Sequence, residues 1–533
     1  MATHRTRFAA TFWTALGAAW LSTTGLAGAF VIAPVVARAT RELPGAVAPL
    51  LLASLAAAAI WGYGLLQLAH WAANPAARRL LHAEQRHAEQ AGAARVPWAA
   101  TTASGAPRVV VVAPVADDFR PDVLRRTLAQ TVPVHCAILD DSRDPGVRSA
   151  VDDFAVETGA QVIRRRDRRA YKAGNLNHAL PLLLPDADFL VIVDSDSEIP
   201  EDYVERALPH FTDAGVGAVQ GRPWARSGAT PFAHELRGLL GGLLAATQAS
   251  HAVAGLSPFL GRGGMFSTAC LRRLGGFPER VFEDVSMSIA LRQHGFRTVY
   301  LDNVVCAEDY PVDYRAFRVQ YGKHAEGCAE LLRERRLLRG LPIAERLDVR
   351  TALAMPLVLT LAGVTLLVAN LALTVLGAGA LQLGVPLPVL AAVGLGAAAP
   401  LLPEVLRLIR AGRPIRAARF AAVSGALYAT MLVLGAARTL RVLRGSRGRF
   451  RVTPKTSAPT RLGTALRMLR AEWAVAAVAC VLATVLGGVF APLMPLLLPA
   501  VAGTAFALWP QHPPRRVTRV RVARAQPHVG ATS

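Results

Sequence analysis

The sequence predicts an α/β domain with a mostly parallel sheet, inserted into a bundle of transmembrane α-helices. Three observations lead there. The chain has 533 residues, 53% of them hydrophobic, and a mean hydropathy of +0.33, too apolar for an ordinary soluble enzyme. Charge-free apolar stretches long enough to span a bilayer lie within residues 8–36, 45–70, 351–376, 384–403, 420–437 and 473–509. Between the second and third of these, residues 98–335 have normal polar content, and β-branched runs alternate there with helical segments, the pattern of a parallel sheet covered by helices.

The amino terminus, MATHRTRFAATFW, begins positive and turns apolar. The apolar run is long, has no polar stop with a small-residue cleavage site, and is soon followed by a second span, so it reads as a retained helix rather than a cleaved leader. In the insert, RVVVVAPV (108–115) is a first buried strand, and a helix is expected near Pro121–Gln130. VHCAILDDS then gives a second strand, AQVIRRR (160–166) a third, NLNHALPLL a helix and DFLVIVDSD a fourth strand.

Ligands of open parallel sheets bind beyond the carboxyl ends of the strands. Asp140, Asp141, Asp194 and Asp196 all lie at such ends, so four aspartates converge on one rim. Acids after strands also serve simply as turn formers and caps. Two acidic rims with the basic, Gly-containing loop RRRDRRAYKAGNLN between them ask for more than that. Repelling carboxylates need a cation, and oxygen-only ligands suit Mg²⁺ or Mn²⁺ shared with phosphate. Lys172 and its arginine neighbours would hold a diphosphate, which points to a metal-bound nucleotide diphosphate.

ILDDS, KAGNLNHAL, DSD, FEDVSMSIALRQHGF and FRVTPK (450–455) follow one another in the order and spacing of a known family. In these motifs the chain resembles the membrane-embedded family 2 glycosyltransferases, which include cellulose and hyaluronan synthases. The resemblance covers about residues 108–327 and extends to 455. It implies a GT-A (Rossmann-like) cytosolic domain and an inverting transfer from a nucleotide-sugar donor. Asp140 or Asp141 would contact the base, Lys172 the diphosphate, and Asp194 and Asp196 would form the DxD pair, with Asp196 touching the metal. In Glu283-Asp284 the aspartate would be the general base, a role inverting transfer itself demands; the plain alternative is an acidic helix start complementing the dipole.

The chain departs from the family twice. Pro114-Val115-Ala116-Asp117-Asp118 replaces Pro-x-Tyr-Asn-Glu, removing an aromatic that would stack on the base, expected to be uridine. Gln320, Lys323 and His324 replace the acceptor pattern Gln-x-x-Arg-Trp; lysine binds phosphate as a point charge but not as a bidentate fork. By the same resemblance Phe450, Val452, Thr453 and Lys455 form a gating loop that closes over the donor.

That loop must face the cytosol. If 420–437 crossed, Arg438, Arg441, Arg444, Arg447, Arg449 and Arg451 would be exported, against the positive-inside bias. Residues 416–443 therefore read as an interfacial or re-entrant helix, leaving six true spans. The expected organisation is two membrane helices (1–73), a juxtamembrane linker (74–107), the GT-A domain (108–318), an interfacial helix region (319–350), two membrane helices (351–405), an interfacial or re-entrant helix with the gating loop (406–472), two further membrane helices (473–509) and a basic cytosolic tail (510–533).

The net charge of +22 comes from arginines beside apolar spans, which favours membrane lipids as partners over nucleic acid. Five scattered cysteines fit reduced thiols. The expected function is polysaccharide synthesis from a UDP-sugar with coupled translocation, at the plasma membrane and with the catalytic domain cytosolic. The alternative is single transfer to a lipid or short acceptor. The alternative of another class, a non-catalytic membrane nucleotide-sugar sensor or transporter, is disfavoured: a sensor should have lost Asp284 or the DxD pair, and a transporter would carry ionisable groups within its spans.

Overall fold

The computed structural model describes residues 2–94, 107–226, 230–377, 387–446, 448, 452–457, 459–486 and 496–509. A seven-stranded sheet forms the insert: β1 (Val109–Val115), β2 (His135–Asp140), β3 (Gln161–Ile163), β4 (Phe189–Ile192), β5 (Val216–Ala225), β6 (Gly264–Ser267) and β7 (Arg297–Glu308). Their order is β3-β2-β1-β4-β6-β5-β7. Only β6 runs against its neighbours, pairing antiparallel with both β4 and β5. The first four strands are those expected from sequence; β6 and its reversed direction were not anticipated.

Strand alternation builds a core on each face of the sheet. Val111, Ile138 and Val191 point to one side with Phe154, and Val112, Leu139 and Ile192 to the other with Leu176 and Met287. In register, Val115 stands opposite Asp140 and Val112 opposite Ile192. The acidic residues following β2 and β4 therefore emerge at one edge.

Among the described residues, five helices are long and apolar enough to cross a membrane: Thr3–Glu42, Pro44–Gln90, Ile343–Val375, Ala391–Arg410 and Pro414–Leu443. They coincide with the first five apolar stretches of the sequence. In the last stretch, Arg470–Leu486 and Leu498–Leu508 are helical; residues 487–495 between them lie outside the described residues, as does the basic tail. The insert also carries a helical segment from Pro231 to Ala254 that the sequence reading passed over. Its Phe232 and Leu236 pack with Phe420 and Phe506, joining the insert to the apolar helices.

Pro414–Leu443 is one unbroken helix. Near its start Arg419 pairs with Glu235 at 2.7 Å, and near its end Arg438 and Arg441 reach Glu326 at 3.0 and 2.6 Å. All five cysteines are free thiols, and only Cys480 is exposed.

Candidate active site

A single cavity of about 1650 Å³ runs from the acidic edge of the sheet into the apolar helices. Its sheet end is made by the loops after β1, β2 and β4, the start of the helix Tyr171–Leu183, the 260–262 turn and the start of the helix Glu283–Gln293.

Of the four rim aspartates, Asp141, Asp194 and Asp196 line this cavity. Asp140 stands behind them, its side chain fully buried. Burial pushes its carboxyl up, but hydrogen bonds from Ser142 and the Arg164 guanidinium, at 2.7 Å, outweigh that and hold it below the usual range. Arg165 pairs with Asp141 at 2.7 Å. Two of the arginines expected near the diphosphate thus neutralise the first acidic rim, while Arg168 and Arg143 remain on the cavity wall.

The DxD pair is met by two lysines. Lys172 bonds Asp194 and donates to Gly261 O at 2.6 Å, and Lys455 bonds Asp196. Burial alone would lower both ammonium groups; the facing carboxylates raise them instead. The residues just before Lys172 are strained: Ala170 and Tyr171 hold φ of 57° and 50°, the left-handed region that non-glycine residues avoid and that clusters at functional sites. The 452–455 segment is separated from β4 by more than 250 residues in sequence, since Lys455 and Asp196 stand 259 positions apart, yet Val452, Thr453 and Lys455 line the site. Phe450 lies outside the described residues.

Glu283 and Asp284 open their helix inside the cavity. Burial, then its neighbour Asp284, pushes the Glu283 carboxyl up to about 7. Burial also raises Asp284, against its bond from Val285 N–H and the nearby Arg262 and Lys172 charges. A carboxylate so poised accepts a proton near neutral pH better than an ordinary one. Gly261, at φ 84°, brings backbone against Asp284 where a side chain would be strained.

Gln320, Lys323 and His324 all line the cavity from the helix Tyr314–Leu332. Burial, then the Lys455 charge, lowers the Lys323 ammonium, and burial lowers the His324 imidazole. His324 sits 5.3 Å from the Phe282 ring, centroid to centroid. Phe282 in turn seats against Gly327, where a Cβ would lie 2.1 Å from its ring. Gly327→Val must therefore displace Phe282 and the two acids that follow it. We expect a loss on the order of 10²-fold in turnover from such a misplacement, with nucleotide binding retained, measured by steady-state assay and calorimetry.

Sequence reasoning missed Arg262. It pairs with Glu308 at the cavity wall, and its pKa is raised: burial opposes this, but Glu308 and Asp194 outweigh it. Its signal was available in the glycine cluster FLGRGGMF, a lone cation where backbones approach closely. Asp118 was quoted only for its departure from the family pattern; Ser195 donates to it at 2.7 Å beside the DxD pair.

Hard carboxylate oxygens at Asp194 and Asp196, with cations around them to share phosphate, fit a divalent Mg²⁺ or Mn²⁺ ion. A separate group, His70, His251 and Asp348, also brings potential ligand atoms within 4.8 Å of one another. Its imidazoles are stacked, centroids 3.6 Å apart, so their lone pairs run side by side rather than converge. His251 is already bonded to Asp348 at 2.9 Å. This group reads as a clasp between three helices.

The fold and site thus define a mixed, mostly parallel α/β sheet with a carboxylate-lined edge, set among helices apolar enough for a membrane. Residues 111–258 match the family described as glycosyl transferase family 2, and residues 189–401 match glycosyl transferase family group 2. By these matches residues 111–401 are a family 2 glycosyltransferase region. It is 29% identical over 211 residues to probable glucomannan 4-beta-mannosyltransferase 1 of Arabidopsis thaliana, covering 37% of each chain. It is 28% identical over 213 residues to probable glucomannan 4-beta-mannosyltransferase 11 of the same plant, covering 37% of this chain and 47% of that one. The matches thus span less than half the length of these relatives. Among solved structures, the mannosyltransferase PcManGT from Pyrobaculum calidifontis, in complex with GDP-Man and Mn²⁺, aligns with 22% identity and a TM-score of 0.45, over 71% of this chain and 99% of that one.

Proposed function

We propose that the protein transfers a sugar, with inversion, from a nucleoside diphosphate donor to a hydroxyl of an acceptor that enters from the membrane side. One observation carries this reading: the half-buried Glu283–Asp284 pair and the Asp194/Asp196 pair with Lys172, Lys455 and Arg262 face a common cavity. Asp284 removes the acceptor proton. Lys172 and Arg262 balance charge developing on the leaving diphosphate, and Asp141 lies at the base end. Asp194 and Asp196 would hold the divalent ion, which when bound supplies charge neutralisation at the diphosphate. Val452, Thr453 and Lys455 cover the donor and exclude water. Gln320, Lys323 and His324 border the acceptor.

The names of the plant relatives support mannose as the first sugar to test, and the uridine expected from sequence is tested beside guanosine. Membranes incubated with tritiated GDP-mannose or UDP-glucose and Mn²⁺ should yield labelled product from one of them, and none after EDTA. Transfer undiminished by EDTA, or label from neither donor, would refute the reading.

The site faces the cytosol in this proposal, at the plasma membrane. Arg419 and Arg438 are 19 positions apart, about 28 Å along a helix, close to the thickness of a bilayer core. Yet their partners Glu235 and Glu326 both belong to the stretch 107–342, in which no candidate span occurs among the described residues. Both ends of Pro414–Leu443 being held on one side supports an interfacial helix, despite its apolar length. A cysteine at the exposed Ser446 should react with an impermeant thiol reagent from the cytosolic side alone. Labelling from outside intact cells would place that helix across the membrane.

A further inference from the structure

Away from the sheet, the cavity passes between the helices Pro44–Gln90, Ile343–Val375, Ala391–Arg410 and Pro414–Leu443. Its wall there is built from side chains such as Met355, Leu359 and Leu432, with Gly363, Ala421 and Gly425 giving it room. Hydroxyls are few on this stretch. Tyr63, Tyr321, Thr360 and Tyr428 supply them, and Thr360 already donates to Pro356 O at 2.7 Å. A sugar chain threading this passage would bury several hydroxyls per residue with little to bond them, which is costly. An alkyl chain is buried there at no such penalty. The cavity, at about 1650 Å³, also exceeds the roughly 300–1,000 Å³ of an ordinary small-ligand pocket.

Resting on the transferase reading above, we propose that the acceptor is an uncharged, hydroxyl-headed glycerolipid whose acyl chains occupy this passage and whose hydroxyl meets Asp284. The base itself favours such a head, because a lipid phosphate is already ionised and needs no proton removed, whereas a hydroxyl does. In the step, the lipid oxygen bonds to the anomeric carbon as the bond from that carbon to the phosphate oxygen breaks. The nucleoside diphosphate leaves with the electron pair, and the hydroxyl proton passes to Asp284. The product is a neutral glycolipid, so an enzyme that makes or releases diacylglycerol must supply the acceptor.

Gly425 gives the test, since a Cβ there meets nothing within 4 Å and a larger side chain projects into the passage without striking backbone. The full chain is reconstituted in phosphatidylcholine nanodiscs with or without dioleoylglycerol, then given Mn²⁺ and tritiated GDP-mannose or UDP-glucose. Label should enter the chloroform phase only with dioleoylglycerol. Gly425→Leu should cut that by at least tenfold, with donor affinity within twofold of wild type, and Gly425→Ala should retain it. Label in a water-soluble polymer, or full lipid labelling by Gly425→Leu, overturns the acceptor while leaving the transferase reading intact. If the wild type binds neither donor in the presence of Mn²⁺, the transferase reading fails and the acceptor proposal falls with it.

Discussion

Asp284→Asn should reduce sugar transfer by ~10²–10⁴-fold, the usual cost of losing one placed general base, while nucleotide-sugar affinity stays within a few-fold. The amide keeps the size of the carboxylate but cannot take a proton. Transfer by the wild type should show an acidic limb near neutrality, because Asp284 titrates with a neighbour, Glu283, that burial and their mutual repulsion push up to about 7. The same shift has a cost in stability. A carboxyl raised in the folded state holds its proton more tightly there than in the unfolded chain, so the stability it contributes is full below the unfolded value of 4.5 and is lost as pH rises through about 7. Asp284→Asn removes the repulsion and should raise the thermal midpoint above pH 7, with little change near pH 4. A variant that binds donor poorly yet turns over normally would make Asp284 a binding residue. An unchanged midpoint at both pH values would remove the charge coupling.

Much of the site was legible because its chemistry is local in sequence. An apolar run ending in carboxylates marks both a strand and its functional edge, so Asp141, Asp194 and Asp196 were placed from β2 and β4 alone. Glu283 and Asp284 opened a recognisable helix. What stayed hidden depended on distant pairing. Nothing around Arg164 and Arg165 says that they turn back to Asp140 and Asp141 rather than toward a diphosphate; that follows from β3 lying beside β2. Arg262 is defined by Glu308, which lies at the end of β7, a strand on the far side of β5 from its own. The reversed β6 is four residues long, too short for periodicity to report. Hydropathy found the apolar helix Pro414–Leu443, but only the ion pairs at its two ends bear on which side they lie. The apolar passage was illegible for the same reason, since its wall is assembled from four helices remote from one another in sequence.

Asp196→Asn should abolish metal-dependent donor binding and with it transfer, leaving the chain folded and inserted. The carboxylate sits at the cavity edge of the sheet, not within either core, and its side chain is bonded by Lys455. Its backbone carbonyl accepts from Arg226, which also reaches Glu198 at 2.7 Å, so the turn after β4 keeps its support in the variant. The lysine's raised ammonium owes most of its gain to Asp196, and with that charge gone burial should pull it back down. The loop then loses its tie to the sheet. A cysteine at Ser446, a few positions upstream, should react faster with an impermeant thiol reagent in Asp196→Asn than in the wild type. Adding Mn²⁺ and nucleoside diphosphate should slow the reaction in the wild type alone. Lys455→Gln separates the two effects: it frees the loop equally but keeps both DxD carboxylates, so metal-dependent binding should survive, weakened by the loss of one cation. Should Asp196→Asn still bind donor in a Mn²⁺-dependent way, the metal is held elsewhere. Equal labelling rates in all three proteins, with and without nucleotide, would mean that 452–455 is a fixed wall of the cavity and not its cover.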